Sequence, residues 1–230
     1  ILSDYDVFNE SRYFIAGEDN STIRYKNQNI RIIFDEYESE FIDKNDSFVV
    51  MMGMTPFTIE SRADRHHILS TLAQKYSKNI IAVNHFGGYT SVLFDGNCTA
   101  YNYKGKLVAQ LKEFDEDFQI IDTNKLGSLP TIPFHQKEKI ALIHEALCFG
   151  IKDYFGKHGF KKAILGLSGG IDSAVVAALA AEALGADNVM GLLMPSRYST
   201  DHSISDAEAL AQNLQIPYAT IAIKDIYDQY

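Results

Sequence analysis

Ala163-Ile164-Leu165-Gly166-Leu167-Ser168-Gly169-Gly170-Ile171-Asp172-Ser173, followed by the alanine-rich run Ala174–Ala181, is the stretch on which the fold turns. A short apolar segment reads as a buried strand, two adjacent glycines break it, and an alanine-rich helix begins at Ile171. The same alternation continues downstream. Val189–Met194 reads as a strand, Ser203–Leu214 as a helix and Tyr218–Ile223 as a strand, behind an amphipathic helix at Lys137–Tyr154. Strands and helices spaced this way imply right-handed crossovers and a parallel sheet covered by helices.

Upstream the pattern differs. Ile30–Phe34, Phe48–Met52 and Ile80–Val83 read as strands, and Glu60–Tyr76 as a helix with Ile68, Leu69, Leu72 and Ala73 on one stripe. Ser91–Phe94, Ala100–Tyr103 and Leu107–Leu111 read as strands joined by turns at Asp95-Gly96-Asn97 and Lys104-Gly105. Thr123–His135 carries Gly127, Pro130 and Pro133 and reads as a linker. The expected division is 1–124, a linker at 125–136, and 137–230.

Composition narrows the function. The 230 residues, 46% hydrophobic and 22% charged, suit a globular protein with a sizeable core. A formal net charge of −9 disfavours a general binder of nucleic acid or anionic membrane, which needs a basic face. Two cysteines, Cys98 and Cys148, with no CxxC exclude a disulfide framework and a cysteine-rich zinc site, and suit a reducing cytoplasm. No stretch approaches the roughly 20 apolar residues of a spanning helix. The chain opens on Ile1 and stops in a helix-like stretch at Asp225–Tyr230, which reads as a piece cut from a longer protein.

The chemistry concentrates in Gly166–Ser173. Glycines let a backbone approach a ligand closely, and the helix that follows aims unpaired N–H groups and a positive dipole end at it. Ser168 and Ser173 add hydroxyls. Asp172 would repel a phosphate unless Mg²⁺ lies between them, since hard cations bridge carboxylates and phosphates. The plainer reading is a tight strand-to-helix turn with Asp172 and Ser173 as capping residues. Walker A loops require a lysine that is missing here, and Gly166 and Gly169 do not have GxGxxG spacing.

Ser168-Gly169-Gly170-Ile171-Asp172-Ser173 resembles the SGGxDS loop of the N-type ATP pyrophosphatases, which cleave ATP to AMP and pyrophosphate while adenylating a substrate oxygen. Gly191–Thr200, followed by Ser203–Ala207, resembles the NAD synthetase family in particular. That resemblance implies ATP contacts from Gly166, Leu167, Ser168, Gly169, Gly170, Ile171, Asp172, Ser173 and Met194, with Asp172 on Mg²⁺. The plainer reading of Met194 is core filler. Tyr5–Phe14, Thr55-Pro56-Phe57, Val83–Gly88 and Phe94-Asp95-Gly96 resemble segments of the nitrilase-like glutaminase domain fused to that family. The implied fold is α/β, the later part of a nitrilase-like domain followed by the start of an adenine-nucleotide-hydrolase-like domain. The implied substrates are ATP, deamido-NAD, and glutamine or ammonia, in a cytoplasmic homo-oligomer. Alternatives are another ATP pyrophosphatase amidotransferase such as a GMP synthetase, a stand-alone nitrilase-type amidase, or a non-catalytic nucleotide-binding module.

The nitrilase resemblance implies a cysteine nucleophile after the Ile30–Phe34 strand, where this chain has Asp35-Glu36-Tyr37. Asp35 takes the nucleophile position, and either the glutaminase site is degenerate or the correspondence slips locally around Tyr37–Ser47. Tyr5, Thr55 and Ser61 fall at glutamine-pocket positions, with Ser61 where a basic residue is expected and Arg62 beside it. His66-His67, adjacent on a helix, face different ways and do not suggest a shared metal. Glu113–Asp117 reads as a solvated acidic loop, and Tyr5, Phe8, Tyr13 and Phe14 as core aromatics.

Overall fold

The structure, a computed structural model, describes residues 12, 13, 15, 22–89, 91–196 and 199–223. It divides into two compact units, Ile1–Lys139 and Ile140–Tyr230. Tyr5, Phe8, Phe14, Arg197, Tyr198 and Asp225–Tyr230 lie outside the described residues.

The first unit is built on a mixed six-stranded sheet ordered β1-β2-β3-β4-β7-β8. Its strands are β1 (Thr22–Tyr25), β2 (Gln28–Ile33), β3 (Phe48–Gly53), β4 (Ile80–Asn84), β7 (Thr99–Tyr101) and β8 (Leu107–Gln110). β2, β3 and β4 run parallel, with Ile30 opposite Phe48 and Val49 opposite Ile80. The crossover from β3 to β4 is helix α1 (Ser61–Tyr76). Its stripe packs Leu69, Leu72 and Ala73 against Ile33, Val49, Ile80 and Tyr101. Truncating either leucine to alanine at such a buried site costs about 2–5 kcal/mol. The β2-to-β3 connection is compact, a 3-10 turn at Glu36–Phe41. Arg31 Nε holds Asp46 Oδ2 at 3.1 Å, and Asp46 also accepts from the Asp43 N–H at 2.7 Å, so the return into β3 is pinned from below.

The sequence reading of the hairpins is half right. β7 and β8 pair antiparallel across the Lys104-Gly105 turn. β6 (Val92–Asp95) pairs instead with β5 (Phe86–Tyr89), a strand not anticipated because Gly87 and Gly88 weaken strand propensity. The turn at Asp95-Gly96-Asn97 therefore passes between two sheets and closes no hairpin.

Two other expectations are corrected in this unit. Glu113 does not belong to a solvated loop: its side chain is 6% exposed, with Arg62 Nε at 2.6 Å and Lys137 Nζ at 2.8 Å. The proline-bearing stretch is not a free tether either. Leu126 is fully buried against Ala100, Val108 and Ala109, and Phe134 stacks on His66 at 4.0 Å.

The second unit has a parallel sheet ordered β11-β10-β9, with β9 (Ala163–Gly166), β10 (Val189–Leu193) and β11 (Tyr218–Thr220). Helix α2 (Lys139–His158) precedes it, α3 (Ile171–Leu184) links β9 to β10, and α4 (Asp201–Asn213) links β10 to β11. Ala177, Ala180, Ala207 and Ala211 pack with Val189 and Leu193, small residues letting the helices lie close to the sheet. The expectation of a buried strand fails. β9 is an edge strand among the described residues, with Ile164 70% exposed, and Val175 and Val176 of α3 are half exposed.

Candidate functional site

Where β9 ends, the Leu167 N–H donates to the Leu192 carbonyl at 2.9 Å, so the loop leaves from the carboxyl edge of the sheet. Its two serines then hold it in shape. The Ser173 hydroxyl donates to the Gly170 carbonyl at 3.0 Å and accepts from the Ser168 N–H at 3.2 Å. Ser168 Oγ lies 3.0 Å from Ser173 Oγ and accepts from the Gly170 N–H at 3.3 Å. Gly170 is the N-cap of α3 and brings no side chain to cap it. The N–H groups of the first turn have no partner within the helix, which makes this end an anion-binding surface.

The two glycines do different things. Gly169 has φ +76°, and a Cβ there would run into the Ser203 carbonyl and stand 2.8 Å from the Ser203 Cα. Its lack of a side chain lets the first turn of α4 lie over the loop, a packing role. Gly170 has φ −90°, and a Cβ there would meet only Ser168 Oγ at 3.4 Å. Gly170 is thus the position where the open face of the loop would be altered by a methyl group.

α4 brings a second helix N-terminus to the same place. Its N-cap Thr200 accepts from the Ser203 N–H at 3.2 Å. Met194, 46% exposed just past β10, sets its methyl 3.4 Å from where a Cβ on Gly166 would be. The strand ends thus bring Met194 beside the loop. Asp172 is exposed in the first turn of α3. One carboxylate beside two hydroxyls is an all-oxygen donor set, which suits Mg²⁺ bound by one protein carboxylate, substrate phosphates and water.

The first unit carries a cavity of about 450 Å³ at the carboxyl ends of β3 and β4. Thr55 and Ser61 both line it, together with Glu36, Asp64, Arg65 and Asn84. Beside it runs a charged and amide chain. The Thr55 N–H donates to Asn84 Oδ1 at 3.0 Å, Asn84 Nδ2 to Asp95 Oδ1 at 2.9 Å, and Arg65 Nη2 to Asp95 Oδ2 at 2.5 Å. Arg65 Nη1 is buried without a partner. Ser61 spends its hydroxyl on a reciprocal cap with Thr58 at the start of α1, accepting at 3.1 Å and donating at 2.9 Å. Arg62 turns away to Glu113 and the Phe134 ring. The cation facing the cavity is Arg65, one turn later.

Asp35 is not among the residues lining the cavity. Its carboxylate caps the 3-10 turn, accepting from the Tyr37 N–H at 2.9 Å. Glu36 does line it, and burial first, then the neighbouring Asp35 charge, push its carboxyl up. Cys98 is occupied with the Asn84 backbone, its Sγ 3.4 Å from the N–H. Cys148 belongs to the second unit. Arg65, Asn84 and Asp95 had no role assigned from sequence. The quoted Val83–Gly88 and Phe94-Asp95-Gly96 segments were the available signal for two of them.

A mixed α/β unit with a cavity at the carboxyl ends of its parallel strands, followed in sequence by a parallel-sheet α/β unit, is the architecture these features define. Residues 143–230 match the family model described as NAD synthase. The whole chain is 38% identical to the glutamine-dependent NAD(+) synthetase of Synechocystis sp. and 32% identical to that of Aquifex aeolicus. It spans 45% and 47% of those proteins, a little under half their length. The structure also superposes on the glutamine-dependent NAD+ synthetase of Acinetobacter baumannii, solved in complex with adenosine diphosphate. That match has a TM-score of 0.88 and 30% identity, over 100% of this chain and 45% of that one. Over its whole length the chain is thus similar to part of the glutamine-dependent NAD(+) synthetases, and its residues 143–230 match the NAD synthase family model.

Proposed function

We propose that this chain carries the ATP-activating loop of a carbon–nitrogen ligase that converts deamido-NAD to NAD. The observation that carries the reading is the Gly166–Ser173 loop, where two helix N-termini meet at the carboxyl edge of a parallel sheet. The solved relative was obtained in complex with adenosine diphosphate, and ligands of open parallel sheets sit at the carboxyl ends of the strands, which supports a nucleotide here. In the reaction a carboxylate oxygen of deamido-NAD attacks the α-phosphorus of ATP, and pyrophosphate leaves. Ammonia then attacks the acyl carbon, AMP leaves and one proton is released.

The roles follow from position. The N–H groups of the α3 first turn and the Ser168 and Ser173 hydroxyls hold the departing pyrophosphate. Met194 lies against the nucleoside. Asp172 would hold Mg²⁺, which supplies charge neutralisation on the phosphates. Because no side-chain nucleophile is needed in this half, rate enhancement comes from positioning and electrostatics. The parent protein would be a cytoplasmic homo-oligomer.

In the first unit, Thr55, Ser61, Arg65 and Asn84 line a pocket for a small polar amide; Tyr5, the other glutamine position implied by the resemblance, lies outside the described residues. Asp35 stands where the family has its thiol and caps a turn, and neither cysteine lines the cavity. Free ammonia is therefore the nitrogen source we assign, in preference to glutamine.

The test is an assay of the full-length protein with ATP and deamido-NAD. Production of AMP and pyrophosphate with NAD, dependent on deamido-NAD, is the expected result. ADP as product, or indifference to deamido-NAD, would remove this reading. Glutamine supporting synthesis as fast as ammonia would sink the assignment of the nitrogen source alone.

A further inference from the structure

We propose that His144 and Cys148 of α2 and Glu182 of α3 form a binding site for a zinc-type divalent cation. The first two are one helical turn apart and so share a face of α2. Glu182 approaches that face from the neighbouring helix. His144 Nε2 lies 3.0 Å from Glu182 Oε2 and 3.8 Å from Cys148 Sγ. The three donor atoms all lie within 4.8 Å of one another.

These separations suit a single ion. Zinc holds nitrogen and oxygen at about 2.0–2.1 Å and sulfur at about 2.3 Å in a tetrahedron, which puts its ligand atoms roughly 3.3–3.6 Å apart. The two distances from His144 bracket that range, and side-chain rotations of Cys148 and Glu182, whose donor atoms lie within 4.8 Å of each other, close the site. The donor types also select the ion. A thiolate and an imidazole beside one carboxylate suit zinc and exclude Mg²⁺ and Ca²⁺, which take oxygen.

An ordinary surface ion pair would need only His144 and Glu182. The thiol is the additional element, since one ring nitrogen cannot serve the carboxylate and the sulfur equally. A cation satisfies all three, and the thiolate and carboxylate together balance its two charges. His144 and Glu182 are 46% and 60% exposed, which gives an ion a way in and leaves the fourth position for water. Glu182 stands ten residues, about 15 Å, along α3 from Asp172, so the site is separate from the loop. Its structural effect is to tie α2 to α3.

The experiment is a titration of the metal-free full chain with Co²⁺, read by absorbance, followed by competition with Zn²⁺. Saturation at one equivalent, with a near-ultraviolet thiolate-to-cobalt band that Zn²⁺ removes, is expected. Cys148→Ser, almost the same size, should abolish that band. Loss even of outer hydrogen-bond partners weakens metal sites about 10–100-fold. His144→Gln and Glu182→Gln should therefore each weaken Zn²⁺ binding by more than tenfold, while Cys98→Ser changes nothing. Melting temperature should rise with Zn²⁺ in the parent chain and stay fixed in Cys148→Ser, which also reports that the variant is folded. Non-saturating binding, a cobalt spectrum with no thiolate band, or a band that survives Cys148→Ser would overturn the proposal.

Discussion

Arg65 and Asp95, thirty residues apart in sequence, meet in a buried ion pair at 2.5 Å, with side chains 15% and 2% exposed. Asp95 is held from its other oxygen by Asn84 at 2.9 Å, so the pair ties Asn84, which lines the first-unit cavity, to α1. Breaking a buried pair from one side leaves an uncompensated charge. Arg65→Met should destabilise the chain by about 3–5 kcal/mol, the usual range for such a loss. Asp95→Asn, which can still hydrogen-bond Asn84, should cost less. Urea unfolding of both variants checks the order, and equal midpoints would contradict it.

The loop glycines should separate cleanly. Gly169→Ala puts a Cβ into the Ser203 carbonyl at a positive φ, so stability should fall by about 1–3 kcal/mol. Gly170→Ala keeps an ordinary φ and should lose about 1 kcal/mol or less, the usual gap between glycine and alanine at an N-cap. Its pyrophosphate and ATP affinity should drop nonetheless. Calorimetry of melting and of pyrophosphate binding on the same samples distinguishes packing from ligand contact.

Asp172 is exposed, so removing its charge should leave the fold intact. Asp172→Asn should lower turnover of the full-length protein by orders of magnitude and raise the Mg²⁺ concentration needed for half-maximal rate. A variant with unchanged Mg²⁺ dependence would make Asp172 a helix-capping residue only.

His66 gives a pH dependence with a definite sign. Burial first, then the Arg62 and His67 charges, lower its pKa below the usual 6.5, and its ring stacks on Phe134. Its Nδ1 lies 2.8 Å from the hydroxyl of Tyr101, whose own pKa burial pushes up to about 12, so that oxygen keeps its proton and can donate to a neutral ring. The unfolded chain therefore binds this proton at a higher pH than the folded one. The contribution to stability is complete above 6.5 and is lost as pH falls from 6.5 toward the folded value. His66→Phe should flatten the change in urea midpoint across that window. An unaltered slope would place the pH dependence elsewhere.

Much of the second unit was legible because its signals are local. A glycine pair between an apolar run and an alanine run marks the β9–α3 joint, and the helix begins at Ile171 as expected. The partner of β6 was not legible. Two glycines hid β5, and strand pairing depends on contacts that propensity does not encode. The cavity was half legible. Thr55 and Ser61 were found by position, but Arg65 is the cation that lines the cavity, while Arg62 pairs with Glu113, a residue far along the chain. Glu113 looked solvent-bound because its neighbours are acidic. Its two counter-ions come from fifty-one residues before it and twenty-four after.

The anchoring of residues 125–139 redraws the boundary that matters at the bench. Cutting the gene after residue 124 would strip Leu126 from its pocket, remove the ring that covers His66, and take away one of the two cations on Glu113. A stand-alone first half should therefore end beyond Lys139, and limited proteolysis should spare the proline stretch that its composition marks as an easy target.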